Sequence, residues 1–403
     1  MSEAPRPQGA VRIVPWRIAI FAAFAANGLA IGTWASRTPA IALDLDLGFA
    51  QMGLLITAIP VGALFGLFTA SHVLERLGER RTAVAAQIIA MGALAVFGVN
   101  ATVTGNPLLG VPLLVVYGAG FATMNIVINL EAASSDRVTG RTLMPMFHAA
   151  FSLGAVVGAA LGAVAAGANL PLGIHFLLLA IVVISTVVVV VRFFPELRES
   201  HVEPPRFAER MKVWVEPRTL LVGLIVLAAS FNEGTANNWL NLAMVSGRGW
   251  EQVAGAASVT VFAASMLAGR IAGGWFVDRF GRVAALRTAF ALAAAGVLVV
   301  VLIDSEATTF AGVVLWGLGA SLGYPLGISA AADDPRNAPA RVAAVATVAT
   351  ISGLVGPTVI GVLGEAMGLP QAFLVVAALL VVGLLVTSAA RKPAITASVP
   401  TVR

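Results

Sequence analysis

The chain of 403 residues contains no cysteine. That excludes disulfides, thiol nucleophiles and thiolate metal sites. Histidine is nearly as scarce, with 4 scattered residues and no metal-ligand spacing, so neither a metal nor a cofactor is expected. No glycine-rich loop carries the lysine and hydroxyl of a nucleotide phosphate cradle, which argues against ATP-driven work by this chain. No nucleophile stands with a base in a connection, and the adjacent Asp333 and Asp334, followed by Pro335 and Arg336, read as a turn. Enzymatic chemistry is therefore not expected. Charge is also short: 11% of residues are Asp, Glu, Lys or Arg, against about 25% in soluble domains.

What is present is apolar. Hydrophobic residues make up 59% of the chain and the mean hydropathy is +0.92, which places it in a lipid bilayer. A helical span takes roughly 20 apolar residues, and twelve stretches qualify: 18–36, 52–74, 82–99, 108–130, 143–166, 173–191, 220–244, 252–276, 284–303, 308–331, 341–363 and 369–389. Strands of a barrel would be shorter and would alternate, so helices are the reading that satisfies the backbone in lipid. Arg12 and Arg17 before the first run also suit a cleaved leader, but eleven further runs make the first a retained span. The fold class is an all-α polytopic membrane protein.

The net charge of +5 does not imply nucleic acid, because the basic residues fall in short connections rather than in a patch. The even-numbered connections and the two tails hold 22 of the 25 Lys and Arg. Arg37 and Arg248 lie in odd-numbered connections, and Arg270 lies inside span eight. The asymmetry predicts cytoplasmic termini and a multi-pass protein of the inner (plasma) membrane.

The chain also repeats itself. Gly274 to Arg282 (Gly-Trp-Phe-Val-Asp-Arg-Phe-Gly-Arg) closes span eight and opens span nine, and a weaker copy lies about 203 residues earlier, at Ser71 to Arg80. Asn27 and Trp34 of span one recur as Asn232 and Trp239 of span seven, 205 residues on. Arg141 and Arg341, opening spans five and eleven, are 200 apart. The expected organisation is a tail (1–17), a six-helix half (18–191), a proline-containing polar linker (192–219), a second half (220–389) and a tail (390–403), the two halves being parallel repeats.

These motifs resemble the major facilitator superfamily (MFS) over the whole chain. Its signature, Gly-x-x-x-Asp-Arg-x-Gly-Arg, is complete at Gly274, Asp278, Arg279, Gly281 and Arg282. In the first copy Ser71, Glu75 and Glu79 replace the leading Gly, the Asp and the first basic residue, while Arg76 and Arg80 supply charge. The resemblance implies that Asp278 pairs with Arg141, and Glu75 with Arg341, as latches that part on inward opening. Three stretches look like the fucose-permease branch: Asn27-Gly28 to Pro39, Asn125-x-x-x-Asn129, and Glu233 to Trp239. In that branch an acidic residue associated with proton coupling stands four before the span-four Asn. Here that position is Asn125, so any coupling needs another residue.

Glu233 is the foremost candidate. It lies about 20 Å into span seven, in the outer half of the bilayer, where an ionisable group faces a cavity or a partner. It is expected to accept a proton or bind substrate, or else to pair structurally with Arg37 or Arg270. Asn27 and Asn125, about 14 and 26 Å along their helices, with Asn129, Asn232 and Asn237, suit cavity lining or interhelical hydrogen bonding. Trp34, Trp239 and Tyr324 suit stacking on a solute or anchoring at an interface, and the Gly323-Tyr324-Pro325 run predicts a kink in span ten. His148 titrates near neutrality when free, but suits packing as well. Glu131 is expected to pair with Arg80.

The function expected is a secondary transporter working by alternating access, with protons, the bilayer and a small solute as partners and no nucleic acid, as a monomer. The asparagines suit a sugar-like or small polar solute. The apolar walls suit efflux of drugs or amphipathic metabolites, and a binding protein without flux is the remaining reading.

Overall fold

The computed structural model describes residues 12–140, 143–195, 212–333 and 338–392. Among them, eleven apolar helices are long enough to cross a bilayer. One of these, Phe49–Val103, is two spans joined at Gly78, whose φ of 73° with ψ of 167° is open to glycine and costly for any residue with a Cβ. Gly281 makes the same break in the second half, at φ 83° and ψ 160°. The described residues thus hold twelve spans.

Span one is Ile13–Ser36, and spans two and three lie within Phe49–Val103. Spans four to six are Pro107–Thr139, Met144–Gly167 and Leu172–Val190. Spans seven to nine are Pro217–Arg248, Gln252–Phe280 and Arg282–Leu302. Span ten is broken into Glu306–Ala320 and Gly323–Ala331, span eleven is Ala338–Met367, and span twelve comprises Leu369–Ala372 and Leu374–Val386. Prolines in the first turn start spans four, five and seven, where the missing N–H costs nothing. Pro325 explains the break in span ten: it cannot donate to the carbonyl of Ser321, four residues back, and its ring displaces that carbonyl.

Several spans are longer than the apolar runs suggested. Span seven gains a turn at each end, so Glu233 stands sixteen residues, about 24 Å, from the start of the helix. That is its midpoint rather than the outer half of the bilayer expected from sequence. Polar residues at the span ends, invisible to a hydropathy reading, extend the helix.

The spans form two halves, one to six and seven to twelve. Leu, Ile, Val and Phe side chains such as Phe65, Phe68, Ile181 and Leu385 cover the outside, while Trp16, Phe24, Phe147, Trp239 and Trp316 fill the interior. Odd-numbered spans start, and even-numbered spans finish, at what we call the terminal end. At the far end the halves are fastened together. Asn241 Nδ2 donates to Ser36 O at 2.6 Å, and these residues are 205 apart, the repeat offset, so a pseudo-two-fold axis passes between spans one and seven. Trp34 Nε1 donates to Asn238 Oδ1 at 3.2 Å. Glu365 of span eleven accepts from the backbone N–H of Phe49 at 2.9 Å, and Thr57 and Thr358 hydroxyls meet at 2.9 Å.

At the terminal end the described polar contacts stay inside one half. Arg80 Nε donates to Phe194 O at 2.7 Å in the first. In the second, Arg282 Nε donates to Ala390 O at 2.6 Å. Each ties the start of one half's third span to the end of its sixth, a repeat of position with different spacing from the glycine. Among the described residues, the hydrogen bonds made by Trp34, Phe49, Thr57 and Asn241 therefore join the halves at the far end.

Candidate functional site

The charged groups at mid-depth converge where the halves meet. Glu233 of span seven lies 3.3 Å from Arg270 Nη2 of span eight through Oε1 and 3.4 Å through Oε2. Arg270 Nη1 reaches across to the other half and donates to Ser152 Oγ of span five at 2.6 Å. Ser152 Oγ donates in turn to the carbonyl of His148, one turn away, at 3.1 Å. His148 is exposed, lies within electrostatic reach of Arg270, and meets the ring of Phe24 edge-on at 5.2 Å. Tyr324, just past the break in span ten, is 39% exposed and within electrostatic reach of Glu233.

The Glu233 and Arg270 side chains are 26% and 22% exposed. The pair is therefore partly wetted rather than sealed in the interior. Arg270, which the sequence reading placed only as a candidate partner, is the residue that meets Glu233. The signal was available: it is the lone basic residue inside an apolar span. Ser152 carried no signal at all.

The remaining candidates fall elsewhere. Asn232 is buried beneath Trp316, whose Nε1 donates to its Oδ1 at 2.5 Å, so it braces the interior of the second half rather than lining a cavity. Asn27 is fully buried, beside glycines that bring spans one and five together, and does not line the cleft in this state. Asn125 and Asn129 are half-buried, and Asn129 Nδ2 bonds back along its own helix to Asn125 O at 2.8 Å. Asn237 is half-buried on the helix of Glu233. Trp34 and Trp239 are 3% and 1% exposed, which rules out both stacking on a solute in this state and anchoring at a water interface. Arg37 is not the partner of Glu233. It is buried at the far end, where Nη2 donates to Leu170 O at 2.7 Å; burial lowers its pKa against the opposing pull of Asp44.

The residues assigned to latches divide in two. Glu75, Arg76, Asp278 and Arg279 are exposed at the terminal end. Arg141 lies outside the described residues. Arg341 is bonded to Glu216 at the start of span seven, Nε to Oε2 at 2.6 Å and Nη2 to Oε1 at 3.1 Å, rather than to Glu75. Arg282 is buried against Asp333, with Nη1 3.0 Å from Oδ1 and Nη2 2.5 Å from Oδ2. Arg218 Nη2 adds a third contact at 2.6 Å. Asp333, read from sequence as a plain turn, is thus the anchor of a clamp inside the second half, and Arg282 belongs to that clamp. Glu131 is fully buried and accepts from Trp16 Nε1 at 2.6 Å, with Arg80 and Glu79 as charged neighbours.

Twelve spans in two like halves, meeting around a wetted ion pair at mid-depth, define a membrane transporter. The family model described as Major Facilitator Superfamily matches residues 18–333 and 222–401, and the chain belongs to that family. It is 32% identical over 365 residues to the uncharacterized transporter y4wD of Sinorhizobium fredii, covering 90% of this chain and 95% of that one. Among solved structures it is similar to a bacterial homolog of the human lysosomal transporter Spinster, with a TM-score of 0.77, 14% identity and coverage of 95% and 98%. It is also similar to the transporter FucP in its outward conformation, with a TM-score of 0.63, 17% identity and coverage of 94% and 100%.

Proposed function

We propose that the chain is a proton-coupled secondary transporter of a small polar, sugar-like solute, and that Glu233 carries the proton. The observation that supports this reading most is the bridge Glu233–Arg270–Ser152, because it ties a titratable group to a contact between the two halves. A proton on Glu233 cancels its attraction for Arg270. Arg270 then has its charge met by solute or by the span-five side alone. Protonation and solute occupancy therefore bias the contact that changes when one end opens and the other shuts.

In this proposal the terminal end is cytoplasmic, since the basic connections gather there, and the far-end contacts make the present state inward-facing. Opening outward would break the Asn241–Ser36, Trp34–Asn238 and Thr57–Thr358 contacts. It would also bring the exposed Glu75 and Asp278 hairpins against the opposite half as latches. Both halves of the path come from one chain, so a monomer suffices. The membrane is taken to be the inner (plasma) membrane.

The test is proton movement in proteoliposomes holding a pH-sensitive dye, with L-fucose, D-glucose and D-mannitol added in turn. Wild type is expected to move protons with a polyol, and Glu233→Gln to lose that movement and the pH dependence of solute uptake. Unaltered pH dependence in Glu233→Gln would remove the proposal. Proton movement driven by hydrophobic cations alone would reassign the chain to efflux.

A further inference from the structure

Spans one and five of the first half and spans seven and eleven of the second are counterparts in the repeat, yet they pack differently. Along spans one and five the helices touch backbone to backbone. A Cβ added at Gly28 would fall 1.9 Å from Phe151 O, and one at Gly158 would fall 2.2 Å from Leu29 O. Along spans seven and eleven the seam opens. A Cβ at Gly234 or at Gly353 would meet nothing within 4 Å. The departure from symmetry leaves a cavity with about 30 Å³ of room for the centre of a water-sized group. One such group needs roughly 10–15 Å³.

Two residues that line the cavity carry unmet hydrogen-bonding groups. Trp239 and Ser352 both line it, are 1% and 3% exposed, and present Nε1 and Oγ without a hydrogen-bond partner. Buried donors are seldom left in that condition. Asn238 lines it too, but its amide is committed, with Oδ1 to Trp34 and Nδ2 to Gly234 O at 2.8 Å. No charged side chain borders the space. Its lining also includes Gly234, Gly353 and Pro357. On span seven, Asn238 meets Trp34 of the other half. On span eleven, a Cβ at Gly53 of the other half would fall 2.6 Å from Pro357 O. The cavity therefore lies beside the interface between the halves, and its lining residue Gly234 follows Glu233 in the chain.

We propose that this cavity is a subsite for an uncharged hydroxyl of the transported solute. The proposal rests on the transporter reading above and narrows its substrate to a polyol. A hydroxyl oxygen accepts from Trp239 Nε1, and its proton is donated to Ser352 Oγ. A carboxylate or ammonium is excluded because nothing at the site balances its charge. The Trp34–Asn238 bond roofs the subsite, so release toward the far end requires that bond to part.

The test compares wild type, Ser352→Ala and Gly353→Ala as full-length protein in detergent, by the thermal shift that L-fucose, D-glucose or D-mannitol produces. Gly353→Ala fills the space without a clash and removes a flexible glycine from a helix, so its melting temperature without solute should equal or exceed that of wild type. At least one polyol should stabilise wild type. Both variants should bind it about tenfold more weakly or worse, as expected for a lost buried hydrogen bond. Equal affinity in all three proteins would mean a space for fixed water only and would overturn the subsite. It would leave proton movement through Glu233 standing. Absence of proton movement in wild type with polyol binding intact would do the reverse. No shift by any of the three polyols in wild type also overturns it. As a second measurement, the absence of native cysteine makes Ser352→Cys a unique thiol. It should react with methyl methanethiosulfonate in native membranes and be slowed by the polyol that binds. Inertness until unfolding would show a sealed cavity and sink the proposal.

Discussion

Asp333→Ala is expected to unfold the second half far more readily than any change in the signature acid Asp278. Asp333 takes Arg282 through two contacts, at 3.0 and 2.5 Å, and Arg218 through one at 2.6 Å. The Asp333 and Arg282 side chains are 10% and 7% exposed, so removing the acid strands a buried guanidinium. Breaking a buried pair in this way costs about 3–5 kcal/mol. Arg218 is 31% exposed, and screening limits its share to about 1 kcal/mol or less. For a chain of this size the loss corresponds to a melting temperature lower by about 4 °C or more.

The pH dependence has a definite sign. Burial pulls the Asp333 pKa upward, but the hydrogen bonds and charges of Arg282 and Arg218 outweigh it and hold the carboxyl below its usual range. A depressed pKa gives stability that is complete above the unfolded value of about 3.9 and is lost as pH falls through the lower folded value. The difference between wild type and Asp333→Ala should therefore be constant from pH 5 to 8 and shrink only below about pH 4. The assay is thermal unfolding in detergent across that range. Asp278→Ala, exposed and without an ion pair among the described residues, should melt like wild type. Equal melting of wild type and Asp333→Ala at pH 7, or an equally large loss in Asp278→Ala, would refute the reasoning.

Two further outcomes follow from the packing. Thr57→Cys with Thr358→Cys, replacing hydroxyls 2.9 Å apart, should cross-link under mild oxidation in this cysteine-free background. Solute exchange should then stop and return with reductant; continued exchange in the cross-linked protein would mean that the far end need not open. Gly158→Val should cost about 3 kcal/mol, read as a lower melting temperature, because its Cβ would fall 2.2 Å from the backbone oxygen of Leu29. Gly92→Ala, with nothing within 4 Å of the added Cβ, should be neutral or stabilising.

The spans, their repeat and the two glycine hairpins were legible in the sequence, because hydropathy over some 20 residues and a left-handed glycine are local properties. Glu233 was legible for the same reason: a carboxylate in an apolar run stands out wherever the chain folds. Its depth was not, since Pro217 and Arg248 extend span seven beyond its apolar stretch. Asn27 and Asn232 looked alike at 205 residues' separation, yet one is shut in by glycine packing and the other braces Trp316. Repeats in sequence need not be repeats in environment.

By itself the sequence determined the class of protein, its twelve apolar runs and the carboxylate set within one of them. Those follow from what lipid permits a backbone and a charge to do. Only the tertiary structure decided partners: Arg270 for Glu233 and Ser152, Asp333 for Arg282, Glu216 for Arg341, and the open seam between spans seven and eleven. A hydrogen bond is fixed by angstroms between residues 37 to 205 positions apart in chain, and a composition or a period of 3.6 carries no record of that distance.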